Sequence, residues 1–181
     1  MTRPSTAARR YAEAAFEIAR HDGTLDRWGD DLRLVADLVA RPEVARVLDN
    51  PATPFTARQE VLAGLVTTRI SPKAYNLTLL LAQRGRLSIA PAVAAEYKRL
   101  VDRERNVVPA TVTSAIPLEP AELAAIDARV REMTGARTEI TAVLDPALIG
   151  GVTVRIGDRL IDASVRGRLE RLRDRIVTGA R

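Results

Sequence analysis

The 181-residue chain has no cysteine and a single histidine, His21. Disulfides, thiolate metal sites and a cysteine nucleophile are thereby excluded, and so is any multi-histidine metal cluster. Aromatic residues make up only 3% of the sequence, leaving few platforms on which single-stranded bases could stack. Long apolar runs are also missing. The longest stretch without a charge, Asn106 to Leu118, has 13 residues and contains two prolines, against the roughly 20 apolar residues of a spanning helix. No direct membrane insertion is expected. Near the N-terminus Arg9, Arg10, Glu13 and Glu17 leave no continuous apolar segment of the signal-peptide kind, so the chain is expected to stay where it is made.

Motifs of chemistry are equally sparse. There is no G-x-x-x-x-G-K-[ST] loop, and Gly150-Gly151 with Gly157 does not form G-x-G-x-x-G. Asp30-Asp31 reads as the solvated face of a helix, and His21, beside Asp22-Gly23, as a helix C-terminal residue favoured by the macrodipole. Adjacency in sequence does not fix acid/base geometry for the two carboxylates, and no base partner or nucleophile is spaced to meet His21. The sequence therefore points to no catalytic residue, no cofactor and no metal.

What is present is charge and helical period. Lys and Arg number 28 against 23 Asp and Glu, a formal charge of +5, and the acids are interleaved with the arginines rather than segregated from them. Over residues 1–106 the punctuation predicts six short helices. Ser5 precedes the first, which ends near Gly23, and Thr24 is placed to cap the second, which carries Trp28, Leu32 and Val35. Pro42 opens a third that ends at Asp49-Asn50-Pro51. Thr53-Pro54 and Ser71-Pro72 each set a capping side chain before a proline, whose missing N–H costs nothing in a first turn. They open the fourth and fifth helices. Gly85 stops the fifth and Ser88 starts the sixth.

At Val107 the period changes from helical to alternating. Val108, Ala110 and Val112 share one face of a strand, and a helix after Pro117 and Pro120 is stopped by Gly135. Ile140, Ala142 and Leu144, then Val152, Val154 and Ile156, read as half-buried strands. Gly157-Asp158 is a hairpin turn into Arg159-Leu160-Ile161-Asp162. The last helix carries Val165, Leu169, Leu172 and Ile176 on one stripe. The expected fold is mainly α, a six-helix bundle over residues 1–106 followed by a small α+β domain over 107–181, of order β-α-β-β-α.

Two helices carry more apolar surface than a bundle core requires. On the first, advancing 100° per residue, Arg9, Arg10, Glu13, Glu17 and Arg20 occupy one sector. The remainder divides into a core face of Ala8, Ala12, Ala15, Phe16 and Ala19 and a flank of Ala7, Tyr11, Ala14 and Ile18. On the fifth, Leu80 stands among Lys73, Asn76, Gln83 and Arg84. Small alanines beside Tyr11, facing an out-of-place leucine, suit a helix-in-groove site; the alternative is that both helices are buried on all sides. The last helix, with Arg166, Arg168, Arg171, Arg173 and Arg175, invites a nucleic-acid reading. Pairing of Arg166 with Glu170, Glu170 with Arg173 and Arg171 with Asp174 would satisfy much of that charge within the helix.

Three stretches resemble one family. The first is Gly150-Gly151-Val152-Thr153-Val154-Arg155-Ile156-Gly157-Asp158 followed by Ile161-Asp162-Ala163-Ser164-Val165-Arg166-Gly167-Arg168-Leu169. The second is Ala8-Arg9-Arg10-Tyr11-Ala12-Glu13-Ala14-Ala15-Phe16, and the third Asn76-Leu77 with Arg84-Gly85-Arg86-Leu87. Together they make the chain similar to the delta subunit of the F-type ATP synthase, called the oligomycin-sensitivity-conferring protein in mitochondria.

The resemblance implies a non-catalytic stator subunit. Its N-terminal domain would bind the amphipathic N-terminal helices of alpha subunits at the top of the catalytic hexamer, and its C-terminal domain would join the peripheral stalk of b subunits. Tyr11, Ala14, Asn76 and Leu80 match positions of the family's alpha-subunit groove, and Ile18 is added from the helical wheel alone. The C-terminal run is expected to be structural: Gly150-Gly151 for a bulge or close packing, Asp162 to cap the last helix or meet an arginine. Arginine in place of lysine and the lack of a transit peptide imply a bacterial subunit, peripheral on the cytoplasmic face of the cell membrane. A nucleic-acid-binding protein using the last helix is the alternative, but no nucleic-acid partner is expected.

Overall fold

A computed structural model describes residues 6–48 and 53–178. The chain divides into two compact units, residues 1–101 and 102–181, where the sequence reading sets the division at Val107. The protein is mainly helical, with one four-stranded sheet in the second unit.

In the first unit the described helices are α1 (Thr6–His21), α2 (Leu25–Val39), α3 (Pro42–Leu48), α4 (Phe55–Val66), α5 (Pro72–Gln83) and α6 (Ala90–Glu104). A single turn of 3-10 helix, Leu87–Ile89, precedes α6, so the expected start at Ser88 falls in that turn. One hydrophobic cluster draws on every helix. From α1 it takes Ala8, Ala12, Ala15, Phe16 and Ala19, small residues that let neighbouring helices approach closely. Tyr97 of α6 is fully buried; its ring meets Phe16 edge-on at 6.3 Å and its hydroxyl donates to the Leu25 carbonyl at 2.9 Å.

Two of the expected caps differ. Thr24 precedes α2 but makes no side-chain cap bond. Pro54, not Thr53, is the N-cap of α4, because its extended backbone delays the first turn to Phe55. The expected cap at Ser5 and the expected end of the third helix at Asp49-Asn50-Pro51 lie outside the described residues.

The second unit runs β1 (Val107–Ser114), α7 (Pro120–Thr134), β2 (Arg137–Leu144), β3 (Val152–Ile156), β4 (Arg159–Asp162) and α8 (Val165–Thr178). Its order is therefore β-α-β-β-β-α. The expected β-α-β-β-α is corrected by one strand, since the segment after the Gly157-Asp158 turn pairs with β3 as a full member of the sheet. Spatial order is β2-β1-β3-β4, with β1 parallel to β2 across α7 and antiparallel to β3. Pro120 is the first residue of α7, Glu119 and Glu122 form its capping box, and Gly135 ends it at φ +66°.

Ala110, Val112, Val130, Val154 and Ile156 form the buried centre. As an edge strand, β2 is less covered than the alternation implies. Ile140 packs against the core, but Ala142 and Leu144 are exposed.

Gly151 explains the turn before β3. It has φ +78°, and a Cβ there would lie 2.6 Å from the Ala163 carbonyl oxygen. The close approach lets Gly150 O accept from Val165 N–H at 2.9 Å, which fixes the entry of α8. Ser164 caps that helix by accepting from Gly167 N–H at 3.0 Å. Asp162 acts one step back, accepting from Ser164 N–H at 2.8 Å. The apolar stripe of α8 is little covered: Val165, Leu169, Leu172 and Ile176 are all exposed. The expected pairing within α8 also changes. Neither Arg166 nor Arg173 pairs with Glu170, and Arg173 meets Asp174 at 3.3 Å instead.

Candidate functional site

The flank of α1 that its core face leaves over lies opposite the polar side of α5, and an open groove of about 970 Å³ runs between them. Tyr11, Ala14 and Ile18 line it from α1; Asn76 and Leu80 line it from α5. All five sequence-predicted positions are thus brought together. Tyr11 is half-buried, Ala14 and Asn76 are exposed, and Ile18 and Leu80 are 42% and 39% exposed. Such exposure is high for aliphatic side chains with a core within one helical turn. Leu81, the next residue, is 1% exposed.

Other residues of the groove are not apparent from the sequence. Trp28 of α2, Leu77 of α5, Arg10, Lys73 and Arg86 line it as well. The lining holds three cations and no carboxylate. Lys73 pairs with Asp22, the residue following α1, and so ties the end of one wall to the start of the other. That bond, with a second from His21, holds the Asp22 carboxyl below its ordinary value.

The position of α5 depends on a group misread as solvent-facing. Asp31 is 2% exposed. Its carboxylate accepts from Ser71 N–H at 2.9 Å and pairs with Arg27 at 3.1 Å. Ser71 in turn caps α5 by accepting from Ala74 N–H at 3.3 Å, with Pro72 in the first turn. A carboxylate at a helix N-terminus satisfies N–H groups that lack intrahelical partners and favours the dipole. Sequence alone could not separate Asp31 from Asp30, because its partner lies 40 residues away.

The site offers shape and apolar surface rather than reactive groups. Among the described residues no cluster of three or more His, Asp or Glu could hold a metal, and no helix is long and apolar enough to cross a membrane.

Comparison with known proteins gives one consistent result. The family model for the ATP synthase delta (OSCP) subunit matches residues 7–176. The ATP synthase subunit delta of Thioalkalivibrio sulfidiphilus is 38% identical over 172 residues, covering 95% of this chain and 97% of that protein. The protein of the same name from Dehalococcoides mccartyi is also 38% identical, covering 95% and 94%. Among solved structures, a chain of the Toxoplasma gondii mitochondrial ATP synthase hexamer superposes with a TM-score of 0.70 at 21% identity, covering 96% of this chain and 98% of that one. The last likeness speaks to the fold.

Proposed function

Because the chain belongs to the ATP synthase delta (OSCP) subunit family, we propose that it is the non-catalytic stator subunit of an F-type ATP synthase. In this reading it links the catalytic alpha/beta hexamer to the peripheral stalk of b subunits. It works at the cytoplasmic face of a bacterial cell membrane, held there through its partners. The task is mechanical: rotor torque would carry the hexamer round unless the hexamer is tied to the membrane sector.

The α1/α5 groove is the proposed seat for the amphipathic N-terminal helix of an alpha subunit. One observation carries this: Tyr11, Ala14, Ile18, Asn76 and Leu80, from helices some 60 residues apart, line a single open groove. Its small alanines admit a helix closely, its aliphatic and aromatic groups receive apolar anchors, and Arg10, Lys73 and Arg86 favour an acidic flank. Each large apolar side chain buried contributes about 1.5–3 kcal/mol. Association costs on the order of 4–15 kcal/mol, so several anchors must seat together for a slowly dissociating complex.

The test is titration calorimetry of the full chain with a synthetic alpha-subunit N-terminal peptide. Leu80→Asp or Tyr11→Asp is expected to weaken binding by roughly thirtyfold or more, the scale of an interface hot spot, with unchanged circular dichroism. Unaltered affinity in correctly folded variants would refute the groove assignment.

A further inference from the structure

The wall that α5 gives to the groove is held by little bulk. Of the buried residues of α5, Ala74, Thr78 and Ala82 are small and only Leu81 is large. The helix packs on α2 and α4. From α2, the Asp31 carboxylate secures its start by accepting from Ser71 N–H at 2.9 Å. Its far end meets a group of the opposite sign.

That group is Arg58, half-buried at the start of α4, where a cation opposes the dipole of its own helix. Its Nε is buried and has no partner among the described residues, a further local cost. The offset lies across helix boundaries. Nη1 donates at 3.4 Å to the carbonyl of Leu48, the last residue of α3, and at 3.4 Å to the carbonyl of Ala82 in the last turn of α5. Carbonyls of a last turn lack intrahelical donors and carry the negative end of the dipole. Ala82 O already accepts from Gly85 N–H at 3.1 Å, so the guanidinium adds a charged donor to a carbonyl in use.

We propose that Arg58 is a positioning residue of the α1/α5 groove. By joining the C-terminal ends of α3 and α5 it keeps Asn76 and Leu80 facing Tyr11, and it is not itself among the residues that line the groove. Leu80 stands two residues before Ala82, so a shift of that carbonyl carries the side chain with it. Asp31 and Arg58, each matched to the dipole end it meets, thus hold one helix from two neighbours. The proposal rests on the groove reading for the purpose of the wall, whereas the contacts of Arg58 stand apart from it.

Two measurements on the full chain test it. Because the chain has no cysteine, spin labels at Glu17→Cys and Gln83→Cys, both exposed positions, report the separation of α1 and α5 by pulsed electron resonance. Arg58→Gln is expected to broaden that distance distribution. In calorimetry with the alpha-subunit N-terminal peptide it is expected to weaken binding roughly tenfold, the scale of one charge-assisted hydrogen bond. Arg58→Lys keeps the charge in a more strongly hydrated form and is expected to fall between the two. Leu62→Ala, at a buried position of the same helix, removes bulk instead of charge. It is expected to lower the unfolding midpoint while leaving both the label distance and the peptide affinity unchanged.

An unchanged label distance in Arg58→Gln overturns the proposal, and so does a changed distance with unaltered peptide affinity. An affinity loss equalled by Leu62→Ala would reduce Arg58 to general stability and overturns it as well. Should Arg58→Gln not fold, Arg58→Lys carries the same two readings. If the unsubstituted chain binds no alpha peptide, the groove reading fails, and the label distances still decide whether Arg58 holds α5.

Discussion

The first unit gathers apolar side chains from six helices into one cluster, and all the aromatic residues of the chain lie in it. The second has no aromatic residue and a core centred on five aliphatic side chains. It holds its shape by another means: close backbone contact at Gly150-Gly151, a capping box on α7, and the Asp162-Ser164-Gly167 relay at the start of α8. The first unit therefore has apolar surface to spare beside its core. In the second, the exposed stripe of α8 lies on a helix that the core scarcely touches. Bulk burial stabilises one unit, and local hydrogen bonding carries a larger share of the order in the other.

Substitutions can sharpen or break this contrast. In the first unit, Leu81→Ala is expected to cost about 2–5 kcal/mol in denaturant unfolding, whereas neighbouring Leu80→Ala should change stability by less than about 0.5 kcal/mol. Equal effects would mean that Leu80 belongs to the core. In the second unit, Gly151→Ala forces a left-handed residue to carry a Cβ against the Ala163 carbonyl, at about 2–3 kcal/mol. Trp28 is the only tryptophan and lies in the first unit. The far-ultraviolet dichroism transition should therefore move while the tryptophan fluorescence transition stays in place, and coincident movement would show the units to be one cooperative body.

Smaller effects follow at the α8 cap. Ser164→Ala removes the acceptor for Gly167 N–H and is expected to cost about 1 kcal/mol, read as earlier loss of helical signal in the second unit. Asp162 gives a pH dependence. The Ser164 hydroxyl, then its backbone N–H, and the Arg171 charge hold its carboxyl below the ordinary 3.8. A depressed carboxyl contributes stability that is complete above the unfolded value and is lost as pH falls through the lower folded value. Asp162→Asn should flatten the acid limb of the unfolding midpoint below about pH 4, and an unchanged limb would remove Asp162 from the relay.

The features legible in the sequence were those in which one element declares its own surroundings. The buried face of α1 follows from its wheel, and the cap of α5 from Ser71-Pro72. Tyr11 and Leu80 could be singled out because each lies off the arc its own core needs. Trp28 and Arg86 of the groove were not visible, since period assigns faces but does not say which faces meet. The same ambiguity affects α8 and β2. A heptad stripe reads alike whether it meets its own domain or a foreign helix, and alternation reads alike in a covered strand and in an uncovered edge. The segment Arg159–Asp162 is ambiguous in sequence for a related reason: four residues after a tight turn read alike as strand or as loop.

Asp31 has a consequence for what the α1/α5 opening will admit. Swinging α5 away from α2 would pull Ser71 N–H off an enclosed carboxylate and leave Arg27 to satisfy that buried charge, at the cost of a charge-assisted hydrogen bond. The bond thereby pins the start of α5, one wall of the opening, to α2. For the helix proposed to lie there, a pinned wall would favour small residues on the visitor's inward side.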